Sequence, residues 1–169
     1  FGMMPSTFDA RVDIRNTNDT NTVIRFENCD KAIVTQNTSV VAKNLYLNNN
    51  LMGIMCNGTT SKTLKIEKNY IKNGIIGMQF IGNNTNSFVR NNTIDSLIQT
   101  GYQKGIADYG WGTGIDIRHF TNADTSLLEV KDNIITVGAF AGRGINMENT
   151  GKNVTTIKND IALTTSGTG

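Results

Sequence analysis

The chain has 169 residues, of which 18% are charged, and its formal net charge at pH 7 is only +2. This length suits one domain, and the low charge argues against a nucleic-acid-binding protein, which normally carries a dense basic stripe. No apolar run approaches the roughly 20 residues that cross a membrane, so membrane insertion is not expected. The single Pro, the 17 Gly and the many Asn, Thr and Ile residues favour turn-rich β structure over helix.

Residues 1–22 precede the regular part of the sequence. They contain Pro5 and a polar run from Asn16 to Thr20. We predict a lead-in segment or the remnant of an earlier coil. Because the chain begins at Phe1 and shows no signal peptide, we interpret it as a fragment or a processed chain.

From Val23 onward a phrase repeats: an apolar strand, an Asn, a second strand, a turn and then Gly-Ile or a close equivalent. The asparagines of the repeat are Asn44, Asn69, Asn92 and Asn133, and the markers begin at Ala32, Gly53, Gly77, Gly114 and Gly144. Intervals of roughly 20–30 residues indicate a solenoid, in which each repeat buries its apolar face against its neighbours. Residues 23–163 are predicted to form it, with a flexible C-terminal end at 164–169.

The four asparagines are predicted to stack as a ladder. Asparagine at a bend tolerates left-handed backbone angles, and strands of successive coils lie about 4.8 Å apart. Side chains at this spacing are expected to hydrogen-bond from coil to coil. We interpret Asn44, Asn69, Asn92 and Asn133 as architecture and not as a binding site.

One coil carries an insertion at residues 99–112. It contains two of the four tyrosines, Tyr102 and Tyr109, and the only tryptophan, Trp111. Insertions in solenoids become loops on one face, which is often the binding face. Aromatic side chains there offer a large apolar face with a polar tip for stacking on sugar rings.

Segments such as Ile66–Ile71 and Val130–Ile135, each followed by Gly-Ile, resemble the right-handed parallel β-helix of the pectate-lyase-like superfamily. The resemblance implies an all-β, single-stranded solenoid of about five to six coils. Members include polysaccharide lyases, polygalacturonases, phage tailspike depolymerases and surface adhesins. It implies a polysaccharide partner along the exterior, an extracellular, cell-surface or virion location, and either a homotrimer or a place in a larger chain.

Catalytic signatures of the named enzymes are not found. The sequence lacks the paired-Asp and Gly-His-Gly pattern of polygalacturonases, the calcium cluster and arginine set of pectate lyases, and the Asp-Pro-His-Asp of alginate epimerases. No catalytic residue is therefore transferred from a named enzyme family, and fold alone does not assign function.

Alternation along the strands after each Gly-Ile marker predicts which side chains point inward and which point outward. The predicted inward positions are Ile33, Ile54, Met78, Ile115 and Ile145, with Thr35, Cys56, Phe80, Ile117 and Met147 beside them. The polar outward positions are Gln79, Asp116, Arg118, Asn146 and Glu148. Asp116 and Glu148 are diagonal neighbours roughly 8 Å apart, a separation that suits the acid and base of an inverting glycosidase. We predict these two as catalytic candidates. The predicted substrate-binding residues are Tyr102, Tyr109, Trp111, Arg118, Gln79 and Asn146.

Other interpretations of these residues stay open. Arg118 and Glu148 also suit an exposed cross-strand ion pair, which contributes little to stability. A structural stalk or adhesin module would use none of this chemistry. A polysaccharide lyase would need a base beside a charge neutraliser, for which Lys104 with Arg118 or Tyr109 is the available grouping.

Metal and cofactor chemistry is not expected. The chain has one His and no Cys-x-x-Cys pair, which argues against a zinc site. Cys29 and Cys56 fall at different points of the repeat, so stacking would not align them for a disulfide. We predict two free thiols, with Cys56 buried. The predicted function is polysaccharide recognition on the outer face, with glycoside cleavage by the Asp/Glu pair as an open extension.

Overall fold

The computed structural model describes residues 11–15, 24–84, 86–97, 112–119, 127–138, 142–150 and 154–164. These ranges contain strands and no helix, and so none with the length and apolar character needed to cross a membrane. In chain order the strands are β1 (Arg11–Arg15), β2 (Ile24–Glu27), β3 (Lys31–Gln36), β4 (Ser39–Lys43), β5 (Leu45–Asn48), β6 (Met52–Lys62), β7 (Leu64–Glu67), β8 (Tyr70–Lys72), β9 (Ile76–Asn84), β10 (Ser87–Arg90), β11 (Thr93–Leu97), β12 (Thr113–Arg118), β13 (Leu128–Lys131), β14 (Ile134–Val137), β15 (Arg143–Glu148), β16 (Val154–Ile157) and β17 (Asp160–Leu163).

The strands form three parallel sheets, and each strand pairs with the strand three places before or after it. Sheet A has the order β1-β4-β7-β10-β13-β16, sheet B the order β2-β5-β8-β11-β14-β17 and sheet C the order β3-β6-β9-β12-β15. Each coil thus contributes one strand to each sheet. This confirms the predicted right-handed parallel β-helix of five to six coils, the hand that parallel crossovers almost always take.

Described residues lie beyond the predicted range 23–163 at both ends. Strand β1 pairs with β4, so residues 11–15 belong to sheet A. At the other end the backbone N–H of Thr164 donates to Val137 O at 2.9 Å. The predicted insertion at 99–112 lies outside the described residues except for Gly112, as do 165–169.

The core lies between the three sheets and is built from aligned side chains. The inward positions predicted for sheet C share a register column, Ile33, Ile54, Met78, Ile115 and Ile145. Their neighbours include Phe80 and Ile117, both fully buried. Met147 was also predicted to be inward, but its side chain is 49% exposed because no described strand lies beyond β15.

The Gly-Ile markers have a steric cause. Ala32, Gly53, Gly77, Gly114 and Gly144 stack as one column at the start of sheet C. A Cβ added to Gly77 would lie 2.6 Å from Gly114 O and 2.7 Å from Cγ2 of Ile94. The column lets sheet C approach the isoleucines of sheet B closely, so only a small residue fits there.

At the corner between sheets A and B, each of five described coils has one residue with a left-handed backbone conformation. These residues have φ between 50° and 56° and are Asn44, Lys68, Asn91, Asp132 and Lys158. The prediction placed Asn44 in the ladder, and this is wrong by one residue. The register pairs Lys43 with Glu67, so Asn44 aligns with Lys68 and Leu45 with Asn69.

The asparagine ladder follows this corner, one residue later. Asn69 Nδ2 donates to Asn92 Oδ1 at 3.0 Å, and Asn92 Nδ2 donates to Asn133 Oδ1 at 2.9 Å. Asn133 Nδ2 continues to Asn159 Oδ1 at 2.8 Å. At the N-terminal end of the ladder, Leu45 supplies only its backbone N–H, which donates to Asn69 Oδ1 at 3.1 Å.

Both cysteines are free thiols, as predicted. Cys56 is buried and Cys29 half-buried. Burial raises the pKa of the Cys56 thiol to about 12, against a smaller lowering by a hydrogen bond with Thr35. This thiol is therefore neutral and inert in the folded protein.

Candidate functional site

Sheet C brings together the predicted polar residues that the structure describes. Gln79 on β9, Asp116 on β12 and Asn146 on β15 share one register column. Arg118 and Glu148 are paired in the next outward column. We call these five residues the polar row. The predicted aromatic contacts Tyr102, Tyr109 and Trp111, and also Lys104, lie outside the described residues.

Asp116 is the centre of the polar row and is held by three donors. Its Oδ2 accepts from Gln79 Nε2 and from Arg118 Nε, each at 2.8 Å. Its Oδ1 accepts from Asn146 Nδ2 at 2.8 Å. Asp116 is only 1% exposed and Gln79 is fully buried, so neither side chain is open to a ligand from solvent. Charge-assisted bonds to both oxygens compensate for the burial of the carboxylate.

Arg118 joins the two predicted catalytic acids. Its Nε lies 2.8 Å from Asp116 Oδ2 and 3.8 Å from Glu148 Oε2. The Arg118 side chain is 27% exposed and that of Glu148 is 53% exposed. A guanidinium therefore contacts both carboxylates, where an inverting hydrolase needs room for a water molecule and a glycosidic oxygen.

The row differs in polarity from the coils before it. In the same outward column, the preceding coils carry Met55 and Val34, and Val34 is 42% exposed. Gln79 Oε1 is buried and has no hydrogen-bond partner among the residues that the structure describes. An unsatisfied buried acceptor costs about 1–3 kcal/mol. Along this outward column the side chains therefore change from apolar, at Val34 and Met55, to the hydrogen-bonded polar groups of Gln79, Asp116 and Asn146.

His119 occupies the corner after β12. Its φ is 57°, and its backbone N–H donates to Glu148 O at 3.0 Å. The side chain is exposed.

Sheet A carries a separate ion-pair group on its outer face. Glu67 Oε1 lies 2.9 Å from Lys43 Nζ, and Glu67 Oε2 accepts from Arg90 Nε at 3.0 Å. Hydrogen bonding by Lys43, and secondarily by Arg90, lowers the pKa of the Glu67 carboxyl against the opposing effect of burial. The register aligns Lys43 with Glu67 and Glu67 with Arg90 on three successive strands of sheet A.

Sheet B carries an aromatic group that sequence analysis missed. The rings of Tyr46 and Tyr70 stack with centroids 5.6 Å apart and an interplanar angle of 27°. Arg25 Cζ lies 4.8 Å from the centroid of the Tyr46 ring, and Lys72 Nζ lies 5.6 Å from the same centroid. We call Arg25, Tyr46, Tyr70 and Lys72 the tyrosine face. Both tyrosines fall at one position of the structural register, which the one-residue misalignment of Asn44 with Asn69 concealed in the sequence.

Within the described ranges, no group of three or more His, Cys, Asp or Glu side chains is placed to hold a metal ion. Comparison of the chain with protein-family models, with curated proteins and with solved structures gave no match.

Proposed function

We propose that this chain is an extracellular or virion β-helix module of the pectate-lyase-like superfamily that recognises a polysaccharide on the outer face of sheet C. The observation that supports this most directly is the polar row. Its partly or fully exposed members place a guanidinium on β12 and an amide and a carboxylate on β15, and the apolar side chains of Val34 and Met55 precede them in the outward column of sheet C. A sugar polymer presents hydroxyl groups and apolar C–H faces in alternation, which such a surface complements.

The contacts of Asp116 favour binding over cleavage. Both of its oxygens accept hydrogen bonds, and its side chain is buried. A general acid or base must reach the proton that it transfers. We therefore assign Asp116 to positioning Arg118 and Asn146, and we assign Arg118, Asn146 and Glu148, which are partly or fully exposed, to ligand contact.

A structural stalk is the second candidate, and one observation favours it. A carboxylate fixed by Gln79, Asn146 and Arg118 across three coils is also what a fibre needs to join its coils. A lyase has less support, because its base would be Lys104 or Tyr109 and Arg118 already contacts two carboxylates.

The test is affinity electrophoresis of the wild type through a panel of bacterial capsular and plant polysaccharides, with parallel assays for reducing and unsaturated sugar ends. Arg118→Ala and Trp111→Ala are expected to weaken binding roughly tenfold, the loss of one charge-assisted contact or one stacking contact. Arg90→Ala is the matched control because it removes an arginine from a comparable ion pair on sheet A.

The outcomes separate the candidates. Binding that Arg118→Ala weakens and Arg90→Ala leaves unchanged, with no product formed, supports recognition without cleavage. Product release that Glu148→Gln abolishes while binding persists would replace this proposal with a hydrolase. Absence of wild-type binding across the panel would favour the stalk.

A further inference from the structure

The C-terminal end of the coil stack leaves core positions exposed to solvent. Ile161 and Leu163 on β17 continue the buried columns of Ile135 and Val137, yet they are 42% and 58% exposed. Met147 on β15 is 49% exposed. This end therefore presents apolar area that a further layer of strands would cover.

The N-terminal end is more closed. Thr35 stands at the opposite end of the register column from Met147, and it is only 7% exposed. Ile33 on the same strand is 5% exposed, and Ile24, the most exposed core position described at this end, reaches 36%. The two ends are therefore not equivalent, and the C-terminal end is the more open one.

Backbone groups of β16 point toward the same open end. Ser87 N–H donates to Leu127 O of the following coil at 2.8 Å, and Val154 continues the register column of Ser87. Thr156 follows two residues later, on the same side of the strand. No described strand lies beyond β16 in sheet A, so the N–H and C=O groups of Val154 and Thr156 face an edge where another chain can pair.

The shape of this end is self-complementary. Its strands are consecutive in the chain, with β15 in sheet C, β16 in sheet A and β17 in sheet B. Because the solenoid rises continuously, β15 lies about a third of a coil before β16, and β17 about a third of a coil beyond it. A second copy turned about a two-fold axis through β16 sets its β17 over β15 and its β15 over β17, so the heights match across the whole end.

The two-fold arrangement also matches the backbone groups. It brings β16 against β16 of the second copy in antiparallel orientation. With the axis at Thr155, Val154 lies opposite Thr156 of the second copy. Both residues point their N–H and C=O groups to this edge, as a hydrogen-bonded antiparallel pair requires.

Head-to-tail stacking fits less well. The described strands number 17, which is not a multiple of three, and sheet C has five strands where sheets A and B each have six. If β1 and β2 of another copy followed β16 and β17, sheet C would lack one strand between β15 and the next β3.

Charge does not oppose contact between two C-terminal ends. The described residues of β15, β16, β17 and the corner before β17 carry two positive and two negative side chains, all exposed: Arg143, Lys158, Glu148 and Asp160. The net charge of these residues is zero, so two copies meet without strong repulsion.

We propose that the C-terminal end binds the C-terminal end of a second copy of this chain, forming a closed two-fold dimer through β15, β16 and β17. The apolar side chains of the two ends cover one another, and the β16 strands pair at the axis. This inference concerns one end of the solenoid and stands whether or not the polar row binds sugar.

The experiment is sedimentation velocity and light scattering of the 169-residue protein from low to high micromolar concentration. We expect a species of twice the chain mass of 18.5 kDa and nothing larger. Met147→Lys/Ile161→Lys should raise the dimer Kd roughly tenfold or more, since charges at an open edge oppose pairing. The matched control is Ile24→Lys/Val34→Lys, which changes residues of comparable exposure, 36% and 42%, at the N-terminal end and should leave the Kd unchanged.

A cysteine variant tests the axis directly. Thr155 is exposed, and in the dimer its two copies form a non-hydrogen-bonded pair with Cα atoms about 4.5 Å apart, within disulfide range. Thr155→Cys should therefore give a disulfide-linked dimer on mild oxidation. The wild type, which has Cys29 and Cys56, should not.

Three results would overturn the inference. A wild type that stays monomeric at every concentration would show that the exposed end has no second copy as its partner. Polymers that grow with concentration and that Ile24→Lys/Val34→Lys also blocks would indicate head-to-tail stacking. A species of three chains, with no cross-linked dimer in Thr155→Cys, would place the contact on another surface.

Discussion

Asn92 connects three successive coils through one side chain. Its Nδ2 donates to Ile66 O at 3.2 Å and to Asn133 Oδ1 at 2.9 Å. Its Oδ1 accepts from the backbone N–H and the side-chain amide of Asn69, each at 3.0 Å. Asn92 is 1% exposed, so water would not replace these partners. The preceding residue, Asn91, is exposed and has a φ of 53°.

Neighbouring asparagines are therefore predicted to respond differently to substitution. Asn92→Ala leaves buried donors and acceptors of two coils unsatisfied and should lower the free energy of unfolding by about 2–3 kcal/mol. Asn91→Gly should change it by less than about 0.5 kcal/mol, since glycine accepts the left-handed conformation. Urea denaturation followed by circular dichroism measures both. Equal losses in the two variants would contradict the assigned roles.

The ion pairs of Glu67 with Lys43 and Arg90 make the folding stability depend on pH. Lys43 and Arg90 lower the pKa of Glu67 below its ordinary value of 4.5 in the folded state. Its stabilising contribution is therefore complete above the unfolded pKa and is lost as the pH falls through the folded pKa. Glu67→Gln should cost about 1 kcal/mol at pH 7 and progressively less below pH 4.5.

Urea midpoints of the wild type and Glu67→Gln between pH 3 and pH 7 measure this difference. Glu129→Gln, also on the outer face of sheet A, controls for the loss of one negative charge. A difference that persists unchanged at the acid end would show that Glu67 stabilises the fold by packing and not by its charge.

At the scale of an element, the sheet C strands depend on the small residues at their start. The Gly column fixes how closely these strands approach Ile71, Ile94, Ile135 and Ile161 of sheet B. This steric demand is also why the Gly-Ile markers gave the correct register of sheet C from sequence. At the corner between sheets A and B, Asn44 and Asn69 are the same residue type with different roles, so sequence identity misaligned them by one position.

Gly77→Ala tests this close approach. The new methyl group would lie 2.6 Å from Gly114 O, so backbone must move, and overpacking of this kind costs about 1–3 kcal/mol. Gly138→Ala, at the end of β14 and outside the column, is the comparison. Thermal denaturation of both variants measures the effect. An unchanged melting temperature for Gly77→Ala would show that the column tolerates a Cβ.

At the scale of the whole molecule, sequence alternation and period were enough to predict the solenoid, its core columns and the alignment of Gln79, Asp116 and Asn146. They were not enough to predict the burial of Asp116. Alternation gives the direction of a side chain, whereas burial depends on which groups surround it in three dimensions. The tyrosine face was missed for a related reason, since the contacts of Tyr46 and Tyr70 with Arg25 and Lys72 depend on which residues are neighbours in three dimensions.

The stacking of coils also determines how the molecule responds to force. Each described strand pairs only with strands of the adjacent coils, so the inter-strand hydrogen bonds point along the helix axis while the covalent backbone runs across it. Tension applied across the axis is resisted by covalent bonds. Tension applied at one end of the chain instead peels a strand such as β17 from β14, then the strands before it, and lengthens the molecule one coil at a time.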